Sequence, residues 1–568
     1  MPAPTYDEIN ETLCAEGQFF EIEVVDVRGI PTRVWKNAPR SLRDILLQSA
    51  TAHGDRPFLR LDEELLTHGE HFEQVAALAT ALVERFGVEP GDRVAIAMRN
   101  VPEWSVAFFA TTAIGAVAVP LNAFWNGAEL AFGVADCGAE VLVLDGERIE
   151  RLAPHLPELD GVTIIGTRQD DRKGTDPLPP TIDFGELVAG PAAGAGLPGV
   201  DIDPDSPAAI LYTSGTTGHP KGVLGTHRNI CSNLVALMFT STRQALRDER
   251  ALQPPATPPV TLGAIPLFHA SGCYASLVGG AFFGTTIVFM RKWDPEVALD
   301  LIERYRVTAL GGVPAMVWDI VNSPTLADRD LSSVTSLGGG GAASPPELLR
   351  RVHEELPGRG ASTGYGMTET SAVVTFISGR DYDEHPGSVG VAAPVCEVRY
   401  VDDEGNDVPD GEPGEMWVKG PNVVPGYWNR PEANAETFTD GWVHTGDIGR
   451  VDADGFVYIV DRAKDVIIRG GENISSLEVE AALYEHPAVL DVAVFAVPHD
   501  TLGEEVGAAV RLRPGATVDE EALRAHAASL LSPYKVPSEI WLLDDPFPRS
   551  PTGKLLKREM KSELLTGR

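Results

Sequence analysis

The sequence predicts an α/β protein: a large multi-layer N-terminal domain with a β-rich subdomain, then a small α+β C-terminal domain. Three observations predict it. The 568 residues exceed the roughly 250–300 that one core serves. Helical and strand-like patterns alternate up to about Tyr400. Beyond it the texture turns to short strands joined by Asp-Gly turns.

The elements follow in order. Residues 72–86, "FEQVAALATALVERF", carry helical periodicity. "DRVAIAMRN" reads as a strand, residues 101–114 as a helix, and "AVAVPL" and "AEVLVLD" as strands. Such alternation implies parallel βαβ layers. Residues 168–207, rich in Asp, Pro and Gly, read as a loop leading to the strand "AAILYT". Residues 242–259 read as a charged, Pro-rich surface loop. "VRYVDDEGNDVPDGEPGEMWVKG" opens the β-rich part, and Asp454-Gly455 signals a hairpin. Then come a helix over 476–484, the strands "DVAVFAV" and "GAAVRLR", a helix over 518–530 and the strand "EIWLLD". The division predicted is 1–461, with the β-rich part at about 395–461, and 462–568.

Composition excludes some classes. With 82 acidic against 46 basic residues, the net charge of −36 argues against general nucleic-acid binding. Cations for an anionic substrate must therefore be concentrated locally. The five cysteines, Cys14, Cys137, Cys231, Cys273 and Cys396, have no paired spacing. That argues against a disulfide framework or zinc site and for a reducing, cytoplasmic setting. The opening residues, "MPAPTYDEINETLCAEG", lack the basic and apolar regions of a signal peptide. The apolar runs 104–121 and 273–290 are barely long enough for a membrane span. Both read better as a core helix followed by a buried strand.

Four stretches carry chemistry. "YTSGTTGHPKG" (212–222) offers hydroxyls from Thr213, Ser214, Thr216 and Thr217, glycines at 215 and 218, and the cation Lys221. It is expected to form a strand–Gly-rich turn–helix in which backbone N–H groups cradle phosphate. It is not the Walker A pattern, since Lys221 is followed by Gly. "STGYGMTET" (362–370) sets Tyr365 between glycines, an aromatic face suited to stacking on a base. In it Thr368 can donate to phosphate and Glu369 can hold magnesium. "HTGD" (444–447) reads as a turn whose Asp447 can accept both ribose hydroxyls, with Arg462 in "DRAKD" fifteen residues later. "PRSPTGKLLKRE" puts Lys554 on a turn, where it can approach an anion. Alone, each admits a blander account: a surface turn, a turn before a strand, a solvated charge run, a basic tail.

In series the four resemble the adenylate-forming superfamily of acyl-CoA synthetases, aryl-CoA ligases, peptide-synthetase adenylation domains and luciferase, over about 42–560. The resemblance implies a mobile C-terminal domain and two-step chemistry. An acid attacks the α-phosphate of ATP with Mg2+ present, releasing pyrophosphate, and a thiol, usually of coenzyme A, displaces AMP. Lys554 is implied to bridge carboxylate and α-phosphate. The loop Thr213, Ser214, Gly215, Thr216, Thr217 and Lys221 would hold the leaving phosphates. Thr363, Gly364, Tyr365 and Thr368 would line the AMP site, and Asp447 and Arg462 would hold ribose. Glu369, with Thr216, would ligate the metal. Lys464 matches the hinge, and Gly470 and Gly471 in "RGGE" the channel for the pantetheine arm. His269 in "PLFHASG" matches a gate between acid and thiol, though a buried structural histidine is the alternative. Val313, Gly339, Gly340, Gly341, Ala342 and Ala372 match the acid pocket, and "GGGGAA" (338–343) is an unusually small wall. Ser475 and Ser476 depart from the more usual residues and are expected at the acceptor channel.

The reading is an ATP-dependent acid–CoA ligase acting on a small-molecule acid. A carrier-protein thiol or an amine as acceptor, including nitrite activation for diazotisation, is the alternative, and a non-catalytic nucleotide-binding regulator a third. A homodimer is compatible with any of them.

Overall fold

Two large sheets account for the N-terminal alternation. In the computed structural model, which describes residues 4–566 apart from 160, 173, 176, 190–195, 214–219, 251–256, 343, 500 and 551–552, the first sheet has eight strands. Its centre runs Pro207–Thr213, Val117–Pro120, Arg93–Ala97, Val141–Asp145 and Thr163–Thr167, parallel throughout. The second has nine, and its parallel centre includes Gly360–Tyr365, Ser336–Gly340, Ala309–Gly312, Val260–Gly263 and Thr286–Phe289.

The largest core lies between the two sheets. It joins strand residues of both (Val94, Ile96 and Leu211 with Leu59 and Ile287) to the helices Leu42–His53, His68–Glu84 and Pro102–Ala113. Every residue of Pro102–Ala113 but one is buried, which is why its sequence is apolar all round. It is a core helix followed by the buried strand Val117–Pro120, as expected for the run 104–121. The run 273–290 becomes a π-helix, Ser271–Val278, then Gly279–Phe283 and the buried strand Thr286–Phe289. No helix among the described residues is long and apolar enough to cross a membrane. Separate cores cover the outer faces of the two sheets.

Residues 397–462 form a five-stranded antiparallel sheet. Residues 467–542 contribute a second five-stranded sheet, antiparallel except where Glu539–Leu542 pairs parallel with Gly503–Leu512, with Ser476–Tyr484 and Glu520–Leu530 packed together on its core.

Two local expectations need correcting. Residues 212–222 do not lead straight into a helix. Lys221–Thr226 is a strand that pairs antiparallel with Pro207–Thr213. The helix begins only at His227, where Thr226 and Asn229 form a reciprocal cap. That helix runs to Arg247, so the first part of the predicted 242–259 loop is helical.

The interior holds neutral histidines. His68 pairs with Ser49 Oγ (2.7 Å) and stacks on Phe58, and His71 pairs with Ser105 Oγ (2.8 Å). Burial pushes His68 down to about 4, His71 to about 3 and His227 to about 4. The unfolded chain protonates all three near pH 6.5, whereas the folded chain does not. Stability is therefore present above pH 6.5 and is lost as pH falls toward 4, by about 1.4 kcal/mol per group per pH unit. Urea titrations from pH 7 to 5 should show this slope, and His71→Gln should flatten it. A slope unchanged in that variant would remove His71 from the account.

Candidate active site

The hairpin Pro207–Thr213/Lys221–Thr226 sets Thr213 opposite Lys221 across the loop between them. Thr213 Oγ1 donates to the Lys221 carbonyl (3.4 Å). Ser214, Gly215, Thr216 and Thr217 lie outside the described residues. Lys221 Nζ stands 5.1 Å from the centre of the Tyr427 ring.

The strand Gly360–Tyr365 carries the second stretch. Thr363 and Gly364 pair in parallel register with Gly339 and Gly340, so the glycine run lies directly beside them. Tyr365 Oη donates to Asp447 Oδ2 at 2.6 Å, and Arg462 Nε stands 3.2 Å from Asp447 Oδ1. Asp447 lies within the strand Trp442–Val451, not at a turn, and Arg462 is its direct cross-strand partner. The carboxylate side chain is 6% exposed and the guanidinium 42%, so the pair opens outward through Arg462. Burial and the Asp447 charge push the Tyr365 phenol well up, so it stays a donor.

After Tyr365 the chain makes a tight turn at Thr368–Thr370, followed by positive φ at Ser371 (54°) and Ala372 (104°). Such conformations in non-glycine residues carry strain and cluster at functional sites. The turn delivers Glu369 inward, 6% exposed. Burial raises its carboxyl, and the hydrogen bond that Tyr427 Oη donates to Oε1 (2.8 Å) opposes this. The other carboxylate oxygen has no side-chain donor among the described residues. No cluster of three or more His, Cys, Asp or Glu exists among those residues to bind a metal alone. A carboxylate with one oxygen engaged by no described side chain fits Mg2+, which takes one or two carboxylates and completes its shell with phosphates and water.

Lys554 joins this group from the C-terminal part. Burial, then Arg462, pull its amine down to about 8, against the attraction of Asp447, with Lys464 and Asp465 also in range. Lys554 thus lies within electrostatic range of Arg462, Asp447 and Lys464, and Asp447 in turn accepts from Tyr365. Gly553 makes the approach possible: its φ is +78°, and a Cβ there would stand 2.9 Å from Val313 Cγ2. The same docking is held by Trp318 Nε1, which donates to the Leu490 carbonyl (3.1 Å), and by Arg513, which donates to Asn322 Oδ1 (2.5 Å).

The remaining expected residues divide. Val313 is buried beside the Lys554 turn. On the glycine wall, a Cβ at Gly340 would meet only the Gly364 carbonyl (3.8 Å), and one at Gly341 nothing within 4 Å. Ala342 is half-buried, and Ala372 packs on the edge of the large core. His269 precedes the π-helix, its Nε2 buried without a hydrogen-bond partner among the described residues and its ring tilted on Phe268. Burial holds it at about 4, so it is neutral. Gly470 and Gly471, at φ 59° and 94°, form the two-residue turn between Ile467–Arg469 and Glu472–Ile474. Gly470 N–H of that turn donates to the carbonyl of Leu502, in the turn before Gly503–Leu512, and among the described residues no hydrogen bond joins it to the Asp447 cluster. Ser475 and Ser476, expected to bear on the acceptor channel, bond back to residues 460 and 461. Ser475 Oγ donates to the Val460 carbonyl (2.6 Å), and Ser476 N–H and Oγ donate to Asp461.

Tyr427 escaped the sequence reading. Nothing local marks it, because its link to Glu369 spans 58 residues.

Comparison with known proteins shows the family. The AMP-binding enzyme family matches residues 46–428, and the AMP-binding enzyme C-terminal domain matches 478–554. A feruloyl-CoA synthase of an Amycolatopsis species is 37% identical over 87% of this chain and 93% of its own. A long-chain-fatty-acid–CoA ligase of Bacillus subtilis is 32% identical over 92% and 94%. The crystal structure of an anthranilate CoA ligase in complex with anthranoyl-AMP superposes with a TM-score of 0.83 at 25% identity, covering 93% of this chain and 98% of that one. With a family match spanning most of its length, the chain belongs to the AMP-binding enzymes, the adenylate-forming superfamily of ATP-dependent acid–thiol ligases.

Proposed function

We propose that this enzyme activates a bulky carboxylic acid as its adenylate and transfers the acyl group to coenzyme A. The observation that carries the reading is the placement of Lys554, brought from the C-terminal unit to the Tyr365–Asp447–Arg462 cluster. A carboxylate oxygen of the acid attacks the α-phosphorus, and the bond to the bridging oxygen of the β-phosphate breaks. Charge builds on the α-phosphate oxygens, and cations already in place stabilise it without reorganising. Lys554 supplies that cation. Thr213 and Lys221 hold the departing phosphates, and Asp447 takes the ribose hydroxyls with Arg462 alongside. Thr363, Gly364, Tyr365 and Thr368 line the nucleotide. Glu369 would hold Mg2+, which neutralises phosphate charge.

In the second half-reaction the thiol sulfur attacks the acyl carbon, AMP leaves and the thiol proton is lost. The unit beyond Lys464 turns about that residue, withdrawing Lys554 and bringing in Gly470 and Gly471. Neutral His269 lies at the acid end. The open faces at Gly340 and Gly341, together with the feruloyl-CoA synthase relative, support an aryl or other bulky acid.

The test is a pyrophosphate-release screen over hydroxycinnamic, benzoic and fatty acids. Each is run with CoA, with a phosphopantetheinyl carrier protein, or with nitrite and an aryl amine. Release with a bulky acid and CoA-dependent thioester formation are expected. Release with nitrite and amine but not with CoA would overturn the acceptor, and ATP binding without release under any acid would overturn catalysis.

A further inference from the structure

We infer that Tyr427 is a positioning residue that holds the carboxylate of Glu369 and the ammonium of Lys221 in fixed relation. This rests on the reading of Glu369 as the metal-holding group. The hydroxyl end of the ring donates to Glu369 Oε1 at 2.8 Å, while the ring centre lies 5.1 Å from Lys221 Nζ. One rigid side chain thus touches both groups assigned to the phosphate side of ATP. A cation over an aromatic ring is attracted by its quadrupole, so the contact orders Lys221.

The ring itself is anchored on several sides. Tyr427 pairs with Val223 of the Lys221 strand, and the next residue, Trp428, donates its N–H to the Gly222 carbonyl (2.7 Å). Asn434 closes a two-way clasp: its Oδ1 accepts from the Tyr427 N–H (2.6 Å) and its Nδ2 donates to the Tyr427 carbonyl (3.0 Å). Phe438 packs edge-to-face on the ring. Gly426 permits the clasp, since its φ is +148° and a Cβ would stand 2.7 Å from Asn434 Oδ1. The same segment grips the Glu369 backbone, with Val424 N–H donating to the Glu369 carbonyl (3.0 Å). Strand and metal-side turn therefore share one scaffold, residues 424–428.

Two substitutions separate the two contacts. Tyr427→Phe keeps the ring under Lys221 and removes the hydrogen bond to Glu369. Tyr427→Leu removes both. The measurement is Mn2+ binding to the full-length enzyme with ATP and no acid, read by water-proton relaxation, alongside ATP affinity at saturating Mn2+. Tyr427→Phe should weaken Mn2+ binding roughly tenfold, the worth of a hydrogen bond to a charged group, and leave ATP affinity at saturating metal unchanged. Tyr427→Leu should weaken both, and its effect on ATP affinity should disappear in a Lys221→Met background, where there is no ammonium left to order. Glu369→Gln is run beside them. If Glu369→Gln does not weaken Mn2+ binding, the metal role of Glu369 falls. If Glu369→Gln weakens it and Tyr427→Phe, with an unchanged melting temperature, does not, the positioning role of Tyr427 falls. Should Tyr427→Leu fail to fold, the Phe variant alone decides.

Discussion

Lys554→Ala is expected to slow acid-dependent pyrophosphate release by about a thousandfold, the loss seen when one preorganised charge stabiliser is removed from a transition state. Thioester formation from supplied acyl-adenylate and CoA should be largely unchanged, because the role proposed for Lys554 is confined to the step in which the α-phosphate gains charge. The protonation state supplies a second signature. Burial, then Arg462, bring the amine down to about 8. Below that pH it is the required cation; above it, the cation is lost. Adenylation should therefore fall as pH rises through about 8, while thiolation lacks this limb. Lys554→Arg stays charged throughout, so whatever activity survives its different shape should lose the alkaline limb. Rapid-quench measurement of each half-reaction checks these outcomes. Equal losses in both half-reactions would contradict a lysine that serves only the first.

The parts of this site that sit within one short stretch were legible in sequence, and the parts built by pairing of distant strands were not. Tyr365, Glu369, Asp447 and Lys554 could each be picked out because glycines, turns and charged residues cluster around them. Their convergence was carried by the series of motifs, since no local pattern places Lys554 beside Asp447. The Gly-rich stretch misled at its far end: "KGVLGT" has no strong periodicity, and the partner that makes it a strand, Pro207–Thr213, lies across the loop. The helix start was written locally all the same, in the Thr226/Asn229 cap. Asp447 read as a turn residue because Gly446 precedes it, yet that glycine, at φ 68°, sits inside a ten-residue strand. Tyr427 depends on register with Val223 and on a contact 58 residues away, information that composition and spacing do not contain. The two serines at 475 and 476 stand out in the sequence as unusual, but nothing local names the groups they bond. Their partners, Val460 and Asp461, precede the hinge, and only the fold shows that these four residues meet.

That meeting bears on the hinge, where Lys464→Pro is expected to lower overall thioester turnover roughly 100-fold, the rate equivalent of the ~3 kcal/mol that a misplaced proline costs. Lys464 is the third residue of a turn closed by Asp465 N–H on the Arg462 carbonyl (2.9 Å), and Val466 N–H donates to the same oxygen. Proline at this position fixes φ near −65° and pushes Ala463 away from the helical region. Val460 and Asp461 lie before the pivot, and Ser475, Ser476 and Lys557 lie after it. Lys557 Nζ donates to Ser476 Oγ (3.0 Å) and pairs with Glu480 (2.6 Å), so the junction is a buried polar network centred on Ser476, which is fully buried. Any rotation about Lys464 that carries the helix Ser476–Tyr484 must break its bonds to Asp461. A buried carboxylate stripped of such donors costs about 1–3 kcal/mol, enough to favour the pose with Lys554 in place until the adenylate forms. A backbone locked at the pivot should therefore preserve one half-reaction and suppress the other. Single-turnover assays of each half, with the melting temperature as control for folding, separate the cases. Two unimpaired half-reactions with unchanged turnover would take Lys464 out of the hinge, and equal loss of both in a folded variant would make the turn structural instead of a pivot.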